Sequence, residues 1–124
     1  MISLFLLWEV TMILRECSFI LPGRPEMQSH VTLQETLCLI AEGFTATRGR
    51  GGWVAPDGRH VREDVTIYTV AVPYSEDGSE DYCEHKVCEA AIYAMTMLGR
   101  ECLYWRASDG KVEMITLNPA PDVR

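Results

Sequence analysis

Hydrophobic and polar residues alternate most clearly between Val65 and Val72, in the middle of the chain. Apolar side chains occur at both parities of this alternation, which is typical of a central strand covered on both faces. A glycine-rich run at residues 49–52 and the turn sequence Pro56-Asp57-Gly58 precede it. Because turn residues between two extended segments favour a hairpin, the pattern predicts a long β-hairpin with its first arm at Phe44–Arg48.

In two segments the apolar residues recur at the spacing of a helix. Thr32-Leu33-Gln34-Glu35 has the form of a capping box, in which the threonine and glutamate side chains accept hydrogen bonds from unpaired amides of the first turn. We therefore expect a helix to begin at Thr32 and to end at Gly43. A second helix is predicted to begin at Ser79 or Asp81 and to stop at Gly99.

Three further segments are rich in residues that favour strands. They are Met12–Leu21 before the first helix, and Glu101–Arg106 and Val112–Leu117 after the second. The Asp109-Gly110 pair between the last two is a typical hairpin turn. The order is β-α-β-β-α-β with one added edge strand. It predicts an α+β, ferredoxin-like antiparallel sheet with both helices on one face.

Length and composition fit one domain. The chain has 124 residues, of which 48% are hydrophobic and 23% charged. We assign residues 12–117 to the ferredoxin-like domain, residues 1–11 to an apolar N-terminal extension and residues 118–124 to a C-terminal tail. The apolar start lacks a basic segment and is interrupted by Glu9, so it predicts neither a secretion signal nor a membrane span.

Charge and cysteine content exclude some partners and compartments. A net charge of −7 is unfavourable for binding a phosphate backbone, so nucleic acid is not an expected partner. Five cysteines without a CxxC pair favour reduced thiols in a cytoplasm over a disulfide framework.

The second face of the sheet has to be covered as well. Both helices are expected on one side, and the strands carry apolar groups on both. A bare apolar face of that area exceeds what a monomer tolerates. We therefore expect a homo-oligomer packed sheet to sheet, either a trimer or a dimer.

Candidate chemistry is concentrated in the hairpin. Glu63 and Asp64 are neighbours on a strand, so they point to opposite faces and cannot act as a pair. Glu63 is either a solvated strand end or a carboxylate that faces a subunit boundary. Trp53, in a loop flanked by glycines, either fills an interface or stacks on a planar ligand. The hairpin also contains four arginines, which are either solvated or suited to an anion: Arg48, Arg50, Arg59 and Arg62.

Other reactive residues do not form a recognisable site. Cys83, His85 and Cys88 are close in sequence, but a zinc site needs a fourth ligand, so no metal is predicted. His30 and His60 have no serine or cysteine at a motif spacing, and nucleophilic catalysis is unsupported.

The sequences GGW, GRHVREDVTIYTV and CEAAIYAMTMLGRECLYW, between Gly43 and Arg106, resemble the small phage-encoded S-adenosylmethionine lyases. In that family a glycine-rich strand end is followed by an aromatic residue and then by a glutamate that opens a β-branched strand. The resemblance implies a trimer with active sites at subunit boundaries, in the host cytoplasm. It also makes Glu63 the key carboxylate and Trp53 the counterpart of a loop tyrosine.

The reaction implied by the resemblance needs no cofactor and no enzyme nucleophile. The carboxylate of S-adenosylmethionine displaces methylthioadenosine and closes homoserine lactone, so the protein has to orient the substrate and exclude water. Glu63 would hold the amino group or ribose, and Trp53 or Tyr104 would stack on adenine. Tyr68 and Arg62 complete the expected substrate-binding set.

Two alternatives stay open. The same topology resembles PII-type signal proteins, which bind nucleotides between subunits without converting them, and the loop arginines would fit such a role. The chain could instead be a non-enzymatic phage protein that binds a host enzyme.

Overall fold

A computed structural model of the chain describes residues 13–79 and 81–117. The strands are β1 (Leu14–Pro22), β2 (Gly43–Val54), β3 (His60–Pro73), β4 (Cys102–Arg106) and β5 (Val112–Thr116), and the helices are α1 (Gln28–Ile40) and α2 (Asp81–Met97). The extension at 1–11, the start of the first strand at Met12 and the tail at 118–124 lie outside the described residues.

These strands form one antiparallel sheet in the order β2-β3-β1-β4-β5. Strand β3 is an interior strand, pairing with β2 on one side and with β1 on the other. The expected ferredoxin-like architecture is confirmed, including the edge strand β5. No helix in the described part of the chain is long and apolar enough to cross a bilayer.

The core lies between the helices and one face of the sheet. Phe19 of β1 is fully buried and stacks on Tyr68 of β3, with ring centroids 5.0 Å apart, and on Trp105 of β4 at 6.0 Å. Apolar side chains of both helices cover these rings: Leu33, Leu37, Val87, Ala91, Ala94 and Met95. This burial is the main stabilising contribution to the fold.

The predicted start of α1 at Thr32 is wrong, because the helix begins four residues earlier, at Gln28. Met27 occupies the cap position without a side-chain hydrogen bond, and the Thr32 hydroxyl accepts from Gln28 instead. The extra turn carries His30, whose side chain is completely buried and hydrogen-bonded to the sheet. Tertiary contacts of His30 therefore outweigh the local capping signal.

The glycine-rich run belongs to β2 rather than to a turn. A side chain at Gly51 would lie 3.1 Å from the Val65 Cγ1, and one at Gly49 would lie 3.2 Å from the Ile67 Cδ1. These glycines therefore make room for branched side chains of β3. The chain reverses at the predicted turn Pro56-Asp57-Gly58, where Gly58 has a φ of 88°.

The sheet face opposite the helices is open in the described chain. Apolar residues exposed there include Ile67 of β3 at 37%, Tyr104 of β4 at 40% and Met114 of β5 at 59%. This is the face that the sequence predicts to be covered by another protomer.

Candidate functional site

Glu63 lies where β3 enters the sheet, paired with Gly51 of β2. Its side chain is 27% exposed and lines a cavity of about 320 Å³. Asp64 of β3 also lines it, and the remaining walls come from the end of β1, the loop before α1 and the residues directly after α2: Pro22, Gly23, Met27, Leu98 and Arg100. Three elements thus converge on the carboxylate.

Arg100 is the cation of this cavity, and its guanidinium forms an ion pair with Glu63. The C-terminus of α2 fixes its position. The Gly99 amide bonds to the Thr96 carbonyl, the Arg100 amide bonds to the Met95 carbonyl, both at 3.0 Å, and Gly99 has a φ of 76°. This is a Schellman motif, which turns the chain sharply after a helix. The helix end at Gly99 was predicted correctly.

Arg100 was not among the site residues predicted from the sequence. The available signal was a basic residue directly after the glycine that ends α2. That signal does not identify a partner carboxylate, because Glu63 lies 37 residues away in the chain. The pair forms because the end of α2 packs next to the start of β3 in the folded protein.

Asp64 interacts with different arginines from those of its neighbour. Its carboxylate lies 3.3 Å from the Arg24 Nε and 3.9 Å from Arg50. The Asp64 carbonyl also accepts the Gly23 amide at 2.8 Å, which fixes the loop that closes the cavity. The two adjacent carboxylates therefore act separately, and Glu63 has Arg100 as its cationic partner.

Trp53 is close to Glu63 in the hairpin. Trp53 pairs with Val61, two residues before Glu63, so the side chains of Trp53 and Glu63 lie on the same face as diagonal neighbours. Diagonal neighbours on adjacent strands are about 7 to 8 Å apart. Its side chain is 46% exposed. Arg62 pairs with Gly52 and points to the opposite face of the hairpin.

Tyr104 lies on the same open face of the sheet but far from Glu63. It pairs with Ile20 of β1, which in turn pairs with Ile67 of β3. Strand spacing and rise then separate it from Glu63 by roughly 16 Å within one protomer. One protomer therefore brings Glu63 and Trp53 together, but not Tyr104.

Tyr68 is a core residue in this structure, contrary to its expected role as a substrate contact. It is completely buried on the helix-covered face of β3. Its hydroxyl donates to the His30 Nδ1 at 2.7 Å and accepts from the Gln34 Nε2 at 3.1 Å. This tautomer follows because the His30 Nε2 has to donate to the Pro22 carbonyl at 2.8 Å. Burial raises the pKa of Tyr68, and the bond from Gln34 partly offsets this.

Three of the four hairpin arginines already have carboxylate partners. Arg48 bonds to Glu26 at 2.5 Å, Arg59 bonds to Asp57 at 2.7 Å, and Arg50 lies 3.9 Å from Asp64. The Glu26 hydrogen bond raises the pKa of Arg48, and Arg48 lowers the pKa of Glu26. The arginine charges that were expected to bind an anion are therefore largely neutralised by these carboxylates.

The remaining reactive groups of the described residues are metal-ligand side chains and cysteine thiols. In residues 13–79 and 81–117, no three His, Cys, Asp or Glu side chains are grouped to hold a metal ion. Burial, aided by the nearby charge of Glu84, raises the pKa of the Cys17 thiol to about 12. Cys17 is thus protonated at neutral pH and unsuited to act as a nucleophile.

No protein-family model and no curated protein sequence matches the chain. Among solved structures, a Bacillus cereus protein related to NIF3 aligns with 89% of this chain but 27% of its own length, at 11% identity and a TM-score of 0.49. A phage S-adenosylmethionine lyase in complex with S-methyl-5′-thioadenosine aligns with 88% of this chain and 94% of its own, at 14% identity and a TM-score of 0.61. The resemblance seen in the sequence is therefore confirmed at the level of the fold, which this chain shares with that phage lyase.

Proposed function

We propose that this protein is an S-adenosylmethionine lyase that forms methylthioadenosine and homoserine lactone. The observation that carries the proposal is a fold shared over 88% of the chain with a phage S-adenosylmethionine lyase, solved with a methylthioadenosine ligand. The half-buried Glu63, beside the exposed Trp53, adds local support. A phage-encoded lyase of this kind would act in the host cytoplasm.

The reaction would need few protein groups. An oxygen of the substrate carboxylate forms a bond to the γ-carbon, the bond from that carbon to sulfur breaks, and its electron pair neutralises the sulfonium. No proton has to be removed for the lactone to close. Holding the methionine arm in an attack conformation can supply about 7 to 11 kcal/mol of the barrier in favourable cases. Exclusion of water favours this step, because the negative carboxylate and the positive sulfonium lose their charges as the lactone forms.

Each candidate residue has a role in this scheme. Glu63 would hold the amino group of the substrate, and Trp53 would stack on adenine. Since Tyr104 is far from Glu63 in one protomer, it would contribute from a neighbouring protomer. Arg62 points away from this face of the hairpin and would contact the ligand only from the rim of the crevice. Tyr68 supports β3 from within the core and has no exposed surface for a ligand.

The site would lie between subunits of a homo-oligomer, which we propose to be a trimer. The open face of the sheet carries the apolar residues that such packing would cover, and Glu63 and Trp53 lie on that side of the hairpin. A second protomer would close the crevice and remove water from it.

The direct test is to incubate the purified protein with S-adenosylmethionine and to separate the products by chromatography. Methylthioadenosine and homoserine lactone are expected. We expect Glu63→Gln to lower turnover by about 100-fold or more, the scale of a misplaced substrate, while circular dichroism stays unchanged. Asp57→Asn is the matched control, since it also removes a carboxylate paired with an arginine but lies in the hairpin turn outside the cavity, and it should retain activity. Full activity of Glu63→Gln would exclude that residue from the site.

The second candidate is a PII-like nucleotide sensor, in which the loop arginines would bind phosphate groups. Three of these four arginines are already paired with carboxylates, which disfavours that role. Saturable nucleotide binding without product would favour this alternative. If neither turnover nor nucleotide binding is found, the remaining alternative is a phage protein that binds a host enzyme, which a pull-down from host lysate would test.

A further inference from the structure

We propose that Glu63 and Arg100 together form a subsite for an α-amino acid head group, with Glu63 binding its ammonium and Arg100 its carboxylate. The inference deepens the proposed function, because the ligand it serves is the methionine end of S-adenosylmethionine. It rests on two oppositely charged side chains that line one cavity and neutralise each other there.

The two charges are held by rigid backbone on separate elements. Glu63 is fixed by the β2–β3 ladder, and Arg100 by the Schellman motif at the end of α2. Their side chains remain 27% and 40% exposed, so a ligand can reach both from the cavity. The pair therefore differs from the surface ion pairs of the hairpin, whose arginines are 62% to 74% exposed.

The surroundings favour a compact ligand with an apolar arm. Pro22, Met27 and Leu98 supply apolar walls to the cavity of about 320 Å³. Gly23 has a φ of 94°, and a Cβ there would lie 2.4 Å from the Met27 Sδ, so a side chain at this position would displace the wall. The loop is held by a hydrogen bond from the Thr66 hydroxyl to the Gly23 carbonyl at 2.8 Å.

A closed ion pair selects ligands by charge. A zwitterion can exchange with the pair so that Glu63 gains an ammonium, Arg100 gains a carboxylate and no charge is left unpaired. A ligand with only one of these charges would leave either the carboxylate or the guanidinium without its partner in a half-buried site, which is unfavourable. The pair should therefore bind zwitterionic head groups in preference to single ions.

In the proposed reaction this arrangement would also orient the nucleophile. Arg100 has a planar fork of donors that fits a carboxylate in a defined direction. With the ammonium on Glu63, the α-carbon would be held at two points, and the γ-carbon would be placed relative to the attacking oxygen. Arg100 would thus contribute to substrate binding and to substrate orientation.

The test compares binding of S-adenosylhomocysteine, which has the head group, with binding of methylthioadenosine, which lacks it, by isothermal titration calorimetry. The wild-type protein is expected to bind S-adenosylhomocysteine at least tenfold more tightly. Arg100→Gln should abolish this preference, and Arg100→Lys should restore part of it. Arg59→Gln, which removes an arginine paired with Asp57 at the hairpin tip, should leave the preference unchanged.

Several outcomes would overturn the subsite. These are equal affinity of the wild type for the two ligands, binding of neither, or an unchanged preference in both Arg100 variants. Kinetics separate this failure from that of the proposed function. If the wild type forms products and Arg100→Gln leaves both KM and kcat unchanged, the subsite is wrong and the lyase stands. If S-adenosylhomocysteine binds through Arg100 but no product forms, the lyase is wrong and the subsite stands.

Discussion

At the scale of single residues, the Tyr68 hydroxyl is a polar link between β3 and α1. It bonds to His30 and Gln34, both on α1, and Gln34 also donates to the Pro25 carbonyl at 3.1 Å. Among the described residues, no buried side-chain nitrogen or oxygen lacks a partner. Such a fully satisfied network specifies one packing of the helix on the sheet.

Removal of this hydroxyl in Tyr68→Phe should destabilise the fold. The variant leaves the His30 Nδ1 and a Gln34 donor without their partner, which costs about 1 to 3 kcal/mol for buried groups. Urea denaturation measures the change in the free energy of unfolding. Tyr93→Phe is the control, because Tyr93 is 66% exposed on α2 and should be neutral. A stable Tyr68→Phe with reduced turnover would instead return Tyr68 to the active site.

The misassigned role of Tyr68 has a definite cause. Strand β3 carries apolar residues at both parities, so its sequence predicts a central strand without indicating which face the helices cover. That choice depends on contacts with Phe19 and with α1, which are distant in sequence.

At the scale of elements, the sequence predicted the order of strands and helices, the Pro56–Gly58 turn and the end of α2. These features follow from short-range signals, such as a glycine in a left-handed conformation. The start of α1 and the path of β2 were not predictable in this way. They depend on the burial of His30 and on Val65 and Ile67, which pack over Gly49 and Gly51.

The turn after α2 should affect stability and the site together. Gly99→Ala places a Cβ at a φ of 76°, and no atom lies within 4 Å of it, so the penalty is backbone strain of about 1 kcal/mol. We expect a lower melting temperature and, because Arg100 shifts, a raised KM for S-adenosylmethionine.

Gly58→Ala is the matched control for this element. Its φ is 88° with open space around the Cβ, but it lies at the hairpin tip. It should show a similar loss of stability with KM unchanged. If the two variants have the same KM, the Schellman turn does not position Arg100 for the substrate.

At the scale of the whole molecule, the candidate site depends on contacts that no local pattern specifies. Glu63 and Trp53 could be singled out from the sequence because strand, turn and aromatic signals occur together in the hairpin. Arg100 could not, since its ion pair with Glu63 exists only once α2 has packed on the sheet. The open face was foreseeable from the strand alternation, and the proposed oligomer builds on it.

A charge placed on the open face should separate the protomers and stop catalysis together. In Ile67→Asp, a carboxylate replaces an apolar side chain near the middle of this face, and its burial without a partner in an interface is strongly unfavourable. Sedimentation velocity should then give a monomer where the wild type gives an oligomer, with turnover lost and the circular dichroism spectrum unchanged.

Leu39→Asp is the control, because Leu39 is 86% exposed on α1, away from the sheet. It should leave both assembly and turnover unchanged. A wild-type protein that is monomeric and fully active would show that one protomer forms the whole site, and Tyr104 would then have no route to the substrate bound at Glu63.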